Sequence, residues 1–173
     1  MIGWSTRFGS GAMAEHTCNL INTDDNGRFV VDSAHHGDIT ITMQFDDLMQ
    51  CVVDFSNCEI KRVRWKQRGT LHHPTCPAVR IIDGTNTNDY FINKGKFRRC
   101  DDQPNHIWRD NGVLRGLSWF TRTYAGKRYS RYTGPALVTY ASDGKTVISE
   151  RYFIAGSEYP KTEWMRKTGN VPN

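Results

Sequence analysis

A pattern of turn residues recurs three times in this sequence at nearly constant spacing, and it constrains the fold more than any other feature. Each copy begins with a proline (Pro77, Pro104, Pro135), continues to a glycine that follows Asp or Asn (Gly84, Gly112, Gly144), and closes at a further glycine (Gly95, Gly126, Gly156). The prolines are 27 and 31 residues apart and the first turn glycines 28 and 32. Three landmarks in constant order indicate a structural repeat. Gly69 closes a weaker fourth copy that begins near Cys51.

Each copy has the local chemistry of a β-hairpin. Proline fixes φ near −65° and suits the start of a strand. A short run of β-branched and aromatic residues follows, and Asp-Gly or Asn-Gly then supplies the positive φ of a tight turn. A second strand returns to the closing glycine, as in Val147 to Ile154. The sequence therefore predicts an all-β fold, an antiparallel meander with one hairpin per repeat.

The first 58 residues predict a smaller β-rich part. Asp25-Asn26-Gly27 separates two apolar runs, and Asp38 to Met43 alternates with period two. Phe45 to Val53 is the one segment with a pattern that permits a short helix, and the tail from Glu163 has no clear pattern. We expect a linker and cloning scar in residues 1–13, an acidic β-rich part in 14–58, a hairpin-repeat sheet in 59–160 and a tail in 161–173.

The third copy resembles a known repeat. Gly134-Pro135-Ala136, followed by Tyr140, Gly144, Glu150, Tyr152 and Gly156, is similar to the variant MORN repeats of YwqK-like antitoxin proteins, which occur in bacteria and bacteriophages. The other copies match less well, since Thr75 to Ala78 lacks the glycine and Asp102 to Asn105 lacks both glycine and alanine. The resemblance covers residues 71–160 and implies a meandering antiparallel sheet with a binding role and no catalytic residues to carry over.

Charge is unevenly distributed along the chain, although the net charge is only +5. Residues 1–58 hold two Lys or Arg against eight Asp or Glu, whereas residues 59–131 hold sixteen against six. Such asymmetry favours an acidic protein partner, a nucleic acid, or neutralisation of one part of the fold by another.

The most basic segment, residues 61–68, is also rich in candidate binding residues. As a strand it places Lys61, Val63, Trp65 and Gln67 on one face and Arg62, Arg64, Lys66 and Arg68 on the other. Further candidates are Trp108, Trp119, Phe120, Tyr124, Lys127 and Arg128. Together they predict a surface that binds an acidic protein, or that contacts phosphates and stacks bases. A solvated sheet edge guarded against aggregation explains the same cations.

Metal binding and catalysis have little support. Cys51, Cys58, His72, His73 and Cys76 lack the spacing of a zinc site, and free thiols in a reducing cytoplasm explain five irregularly spaced cysteines. No nucleophile elbow, phosphate-binding loop or metalloprotease motif occurs. We therefore expect no cofactor, no bound metal and no enzymatic activity.

The hypothesis that follows is a cytoplasmic, non-catalytic binding protein. Its predicted partner is a host or phage protein that it neutralises as a phage-encoded inhibitor or antitoxin-like protein. Nucleic-acid binding through the basic segment and a structural role in a virion are the two alternatives. No apolar run in the sequence is long enough to span a membrane.

Overall fold

The computed structural model describes residues 4–8, 21–23, 29–31, 38–44, 48–57, 59–97, 102–123 and 126–170. The described strands are β1 (Trp4–Phe8), β2 (Ile21–Thr23), β3 (Phe29–Val31), β4 (Asp38–Gln44), β5 (Met49–Ser56), β6 (Glu59–Gln67), β7 (Thr70–Leu71), β8 (Val79–Asp83), β9 (Asn86–Tyr90), β10 (Ile92–Asn93), β11 (Lys96–Phe97), β12 (His106–Asp110), β13 (Val113–Ser118), β14 (Phe120–Thr123), β15 (Gly126–Tyr129), β16 (Leu137–Tyr140), β17 (Val147–Ile154) and β18 (Ser157–Tyr159). One helix, α1 (Lys161–Thr168), follows them within the described residues, and its eight residues are too few to cross a membrane.

One large antiparallel sheet contains most of these strands. Its order is β1-β4-β5-β6-β8-β9-β12-β13-β16-β17-β18, with β7 also paired to β6. Strands that follow one another in this order also follow one another in the chain, apart from the small hairpins that leave the sheet. The prediction of an all-β antiparallel meander is confirmed.

From β5 onwards the sheet is built from four repeats, at residues 49–71, 79–97, 106–129 and 137–159. Pro77, Pro104 and Pro135 each lie two residues before the first strand of a repeat. The glycines of the first turns have positive φ, +57° at Gly84, +75° at Gly112 and +68° at Gly144. Glycine adopts a positive φ without the steric cost that a Cβ imposes. This explains why glycine occupies these turn positions in all three copies.

The prediction of one hairpin per repeat is wrong, because each repeat makes a second, smaller hairpin. In repeats two and three, the chain leaves the main sheet after β9 and after β13 and forms the small hairpins β10–β11 and β14–β15. In repeats one and four, the pairs β6–β7 and β17–β18 take the corresponding positions. Three closing glycines follow a residue that also has positive φ, Arg68, Lys94 or Ala155. Two successive positive φ values define the tight turn that reverses these outer hairpins.

Backbone hydrogen bonds join the repeats at equivalent places. The residue after each landmark proline is buried (Ala78, Asn105 and Ala136), and its carbonyl accepts from an amide of the preceding repeat, that of Trp65, Phe91 or Trp119, at 2.8 to 2.9 Å. The closing glycines continue the pattern, because the amides of Gly95 and Gly156 donate to the carbonyls of Leu71 and Tyr129 at 2.9 and 2.8 Å. The outer hairpins are therefore stacked in the same order as the main strands.

Side chains on the two faces of the sheet are covered differently. On one face, Ile41, Met43, Cys51, Val53 and Phe55 form a buried apolar cluster against which Ile60, Val63 and Trp65 pack. The other face carries the outer hairpins, and we call it the hairpin face. There the ring of Phe97 contacts Tyr90 at 6.1 Å between centroids, and Phe120 contacts His106 at 6.2 Å.

Two local expectations are corrected by the structure and two are confirmed. Residues 49–53 belong to strand β5, so the helical interpretation of that part of Phe45 to Val53 is wrong, and residues 45–47 lie outside the described residues. The N-terminal strands are confirmed, since β2 pairs with β3 and β4 covers Asp38 to Gln44. Residues 161–168 of the expected tail form α1, which packs through its buried Trp164 against Tyr152.

Candidate binding cleft

The basic segment forms most of strand β6, but its side chains do not alternate as simply as the sequence suggests. A bulge shifts the register, so that Phe55 pairs with Ile60 and Asp54 with Arg62, which leaves Lys61 without a partner in the ladder. Lys61 instead binds Glu59 at 2.7 Å, a contact that raises the pKa of Lys61 and lowers that of Glu59. Arg68 lies in the following turn with φ of +49°, not on the strand face.

Three cations of the segment therefore remain in one row on the hairpin face, Arg62, Arg64 and Lys66. Arg64 binds Asp54 at 2.7 Å, and the hydroxyl of Thr40 donates to the same carboxylate oxygen at 2.9 Å. Among the described residues, this pair neutralises one cation of the basic segment with a carboxylate of the N-terminal part. Neither Arg62 nor Lys66 has an ion-pair partner among the described residues.

A cleft of about 450 Å³ opens on the hairpin face beside this row. Its floor consists of Val79, Ile81 and Tyr90 from β8 and β9, and its apolar walls of Leu71, Ile92, Phe97 and Phe120 from the outer hairpins. The floor and the cations share a face because the register pairs Arg62 with Ile81 and Arg64 with Val79. Pockets of roughly 300 to 1,000 Å³ with mainly apolar walls are typical of ligand sites.

The mouth of the cleft is positively charged. Arg62 and Arg64 line one side, and Lys127 lines another together with Gly126. The Lys127 ammonium lies 4.8 Å from the centroid of the Phe120 ring and 5.9 Å from that of Tyr90, a geometry of cation–π attraction. Within the described part of the chain, neither Asp nor Glu lines this cavity.

Arg64 carries an unsatisfied donor at the same place. Its Nε is buried and has no hydrogen-bond partner within the described ranges, whereas its terminal nitrogen binds Asp54. A buried donor without an acceptor costs on the order of 1 to 3 kcal/mol, more when it belongs to a charged group. The guanidinium of Arg64 therefore adds positive charge beside the cleft, while its Nε is enclosed by protein atoms.

Most of the predicted aromatic binding residues have structural roles. Phe120 is buried as a wall of the cleft, and Trp65 packs on the apolar cluster and meets His73 edge-on at 5.0 Å. The half-buried Trp108 stacks on His106 at 5.2 Å. Tyr124 lies outside the described residues. These three rings pack against other side chains of the chain, whereas base stacking needs an exposed ring face.

Trp119 is held by a cluster around Arg131. The Arg131 guanidinium lies 3.9 Å from the centroid of the indole ring, and the indole Nε1 donates to the Asp102 carbonyl at 2.8 Å. Arg131 also binds the Asp102 carboxylate at 2.9 Å, while Thr133 donates to the same group. Burial raises the pKa of Asp102, but the hydrogen bonds from Arg131 and Thr133 lower it below its usual value. The cluster joins the segments that precede repeats three and four, and the guanidinium covers one face of the Trp119 ring.

The remaining predicted cation lies away from the cleft. Arg128 is exposed, and its Nε donates to the carbonyl of Ala155 at 2.6 Å in the next outer hairpin. Of the predicted site residues, the structure therefore brings together Arg62, Arg64, Phe120 and Lys127 around one cavity.

A buried hydrogen-bonded chain lies beneath the cleft. His106 stacks on Tyr90 at 4.4 Å, and its ring nitrogens lie 3.2 Å from Ser118 Oγ and 3.1 Å from Asn88 Oδ1. Because the amide oxygen of Asn88 can only accept, Nε2 carries the proton and Nδ1 accepts from Ser118. Burial, with Lys127 nearby, lowers the pKa of His106 to about 4, so the ring is neutral at physiological pH. Ser118 is only 1% exposed, so this chain supports the floor and does not face a substrate.

The cysteine and histidine candidates do not converge. The Nδ1 of His73 accepts from the backbone amides of Thr75 and Cys76, and thereby shapes a turn. Burial raises the pKa of Cys51 to about 11, which keeps its thiol protonated, and Cys76 is exposed. Cys58 is outside the described residues. Within the described residues, no group of three His, Cys, Asp or Glu side chains is placed to hold a metal ion.

Sequence reasoning missed the apolar part of the cleft. Val79, Ile81, Ile92 and Phe97 were interpreted only as strand residues of the repeats. One signal was present: Leu71 occupies the position of Tyr129 in repeat three, and Ile92 that of Phe153 in repeat four. Smaller side chains in an aromatic series leave space.

Comparison of the chain with protein-family models, with curated proteins and with solved structures gives no match. The resemblance of residues 71–160 to variant MORN repeats therefore stays a prediction.

Proposed function

We propose that the protein is a non-catalytic binding protein that recognises an acidic segment of a partner protein at the cleft. The observation that carries this proposal is the union of an apolar cavity with a cationic mouth on one rigid sheet face. Apolar groups supply affinity when they are buried, and complementary charge supplies specificity and a fast association.

The packing of the aromatic residues favours a protein over a nucleic acid. Trp119 is covered by Arg131, Phe120 is buried, and Trp65 packs on the apolar cluster. Single-stranded nucleic acids are bound mainly through exposed aromatic faces beside a basic groove. An inhibitory or antitoxin-like role for a phage-encoded chain in a host cytoplasm rests on the repeat resemblance alone.

Affinity capture from a bacterial lysate, with and without nuclease, tests the proposal when it is combined with cleft variants. The two variants are Ile81→Glu, which places a carboxylate on the cleft floor, and Arg62→Glu, which reverses an exposed charge at the mouth. The matched control is Ile148→Glu, since Ile148 is 65% exposed on β17, far from the cleft in the sheet order. Circular dichroism checks that each variant is folded.

We expect one protein to be retained after nuclease treatment by the wild type and by Ile148→Glu, and to be lost with both cleft variants. Loss of all bound material on nuclease treatment would show the nucleic-acid alternative to be correct. Equal capture by all four proteins would place the binding surface elsewhere. If Ile81→Glu fails to fold, the exposed position Arg62 still decides between these outcomes.

A further inference from the structure

A continuous stack of aromatic rings runs through the outer hairpins. Phe97, Phe120, Tyr129 and Phe153 follow one another with centroid distances of 5.2, 5.9 and 5.3 Å. These distances lie within the range in which aromatic pairs attract. The rings come from repeats two, three and four, so the stack is a consequence of the repeat.

The stack ends at Phe97, because aliphatic residues take the next aromatic positions. Ile92 and Phe153 are equivalent, because the carbonyl of each accepts from the amide of a residue of the preceding segment, His73 or Arg131. Leu71 and Tyr129 are equivalent, because the carbonyl of each accepts from the closing glycine amide of the next repeat, Gly95 or Gly156. The cleft lies at this end and is lined by Leu71, Phe97 and Phe120. The cavity therefore lies where the smaller side chains of Ile92 and Leu71 take the place of rings, next to the last ring of the stack.

Two arginines flank the same place. Arg62 and Arg64 are two residues apart on one strand, about 7 Å along it, and both line the cleft. Arg62 is exposed and has no ion-pair partner in the described part of the chain, and the Nε of Arg64 is buried without an acceptor. A ligand with an apolar ring and a nearby anionic group would fill the apolar cavity with its ring. Its negative charge would then lie next to the two arginines at the mouth.

We propose that the cleft binds an aromatic side chain with a carboxylate beside it, presented by an acidic segment of the partner protein. This inference rests on the proposed function and names the chemistry that its site selects. The ring packs next to Phe97, and the neighbouring carboxylate pairs with the exposed guanidinium of Arg62 at the mouth, beside the positive charge of Arg64.

A nucleotide also joins a ring to an anion, but the walls do not suit a base. Leu71, Val79, Ile81, Ile92 and Phe97 offer only hydrocarbon surface to the ring. Donors and acceptors on the edge of a base that face these five side chains would have no partner, which costs about 1 to 3 kcal/mol for each such group. A phenyl ring has no such groups.

Methyl NMR of the full chain, titrated with acetyl-Asp-Phe-Asp-amide, tests the inference. We expect shifts confined to the methyl groups of Leu71, Val79, Ile81 and Ile92. Acetyl-Asp-Ala-Asp-amide should bind about tenfold more weakly, because it lacks the ring. Acetyl-Asn-Phe-Asn-amide should lose a similar factor, because it lacks the carboxylates.

Titrations of two variants of the chain with the same peptide provide a second test. Arg62→Gln should weaken binding of the Asp-Phe-Asp peptide about tenfold, whereas Lys66→Gln, which changes a cation of the same row outside the cleft, should change it by less than about twofold. Equal shifts from the alanine peptide, or no cleft shifts at about 10 mM peptide, would overturn the inference. Cleft shifts with AMP and none with the peptide would also overturn it.

The result of the peptide titration can be distinguished from the result of the capture experiment that tests the proposed function. If the peptide fails while Ile81→Glu still abolishes nuclease-resistant capture, the partner protein uses other chemistry and only this inference falls. If capture is independent of Ile81, the proposed function falls, whatever the peptide does.

Discussion

Gly116 lies opposite Trp108 in the pair of strands β12 and β13, and the indole ring lies directly over it. A Cβ added to Gly116 would lie 2.0 Å from Cζ2 and 2.2 Å from Cη2 of the ring. Such a contact is impossible without moving the ring, which also stacks on His106. The glycine is therefore required by packing and not by its backbone angle.

We predict that Gly116→Ala lowers the free energy of unfolding by about 1 to 3 kcal/mol, the usual range for overpacking. Urea denaturation measures it. In the Trp108→Leu background, Gly116→Ala should cost less than it does in the wild type, since the clash with the ring is absent. Additive effects of the two changes would show that the ring is not the cause.

His106 is the residue with the clearest pH dependence. Its pKa falls from 6.5 to about 4 in the folded chain, through burial first and the charge of Lys127 second, against a smaller opposing effect of Asp89. Below pH 6.5 the unfolded chain binds a proton that the folded chain does not. We predict that this residue lowers the free energy of unfolding as pH falls from about 6.5 towards 4, by up to about 3 kcal/mol.

A titration of the His106 ring protons by NMR checks this directly. We expect a midpoint near pH 4. A midpoint near 6.5 would mean that the ring is hydrated and that its contacts with Asn88 and Ser118 are not maintained.

At the scale of the elements, Asn105 connects two outer hairpins. Its side-chain amide donates to the carbonyls of Phe97 at 3.0 Å and of Phe120, and its Oδ1 accepts from the Phe120 amide at 3.2 Å. The equivalent residues in repeats two and four are the buried alanines Ala78 and Ala136. The polar residue in repeat three therefore links β11 to β14 where no main-chain ladder does.

We predict that Asn105→Asp lowers the free energy of unfolding by about 2 to 4 kcal/mol, because the side chain keeps its shape but turns two donors into acceptors facing carbonyls. Hydrogen exchange should accelerate first in residues 96–97 and 120–123. A uniform increase across the whole sheet would contradict a local role for this side chain.

The turn at Ala155-Gly156 offers a stabilising change. Ala155 has φ of +49°, at the position held by Arg68 and Lys94 in other repeats. Asparagine tolerates this region better than alanine, so Ala155→Asn should raise the free energy of unfolding by about 0.5 to 1 kcal/mol. The same substitution at Ala141, which is outside the left-handed region, is the control and should show no gain; an equal gain there would refute the backbone explanation.

These elements show what could be predicted from the sequence. The main turns could be predicted, because each turn requires a glycine with positive φ, as at Gly84 and Gly112. The outer hairpins were missed because β10 and β11 have two residues each, too few for an alternating pattern. The helix was missed because its single buried residue, Trp164, is an anchor that leaves no apolar period.

At the scale of the whole molecule, the candidate site could be predicted only in part. The cations Arg62 and Arg64 could be placed on one face by alternation. The partners that decide their availability are distant in sequence, as Asp54 is for Arg64 and Asp102 for Arg131. The cleft floor depends on the pairing of β6 with β8, a register that no local pattern fixes.

The central claim is that the molecule binds its partner in an apolar cleft with a cationic mouth, and the salt dependence of affinity tests it most directly. Arg62, Arg64 and Lys127 line the mouth, so even if all three contacted phosphates, the slope of log affinity against log salt would be about −3. For the partner retained by the wild type, measured between 50 and 200 mM salt, we predict a slope shallower than about −4, together with a loss of at least about tenfold for Ile81→Glu. A slope steeper than about −4 with undiminished binding by Ile81→Glu would contradict the account, because binding would then depend on many phosphate contacts across the basic surface and not on the cleft.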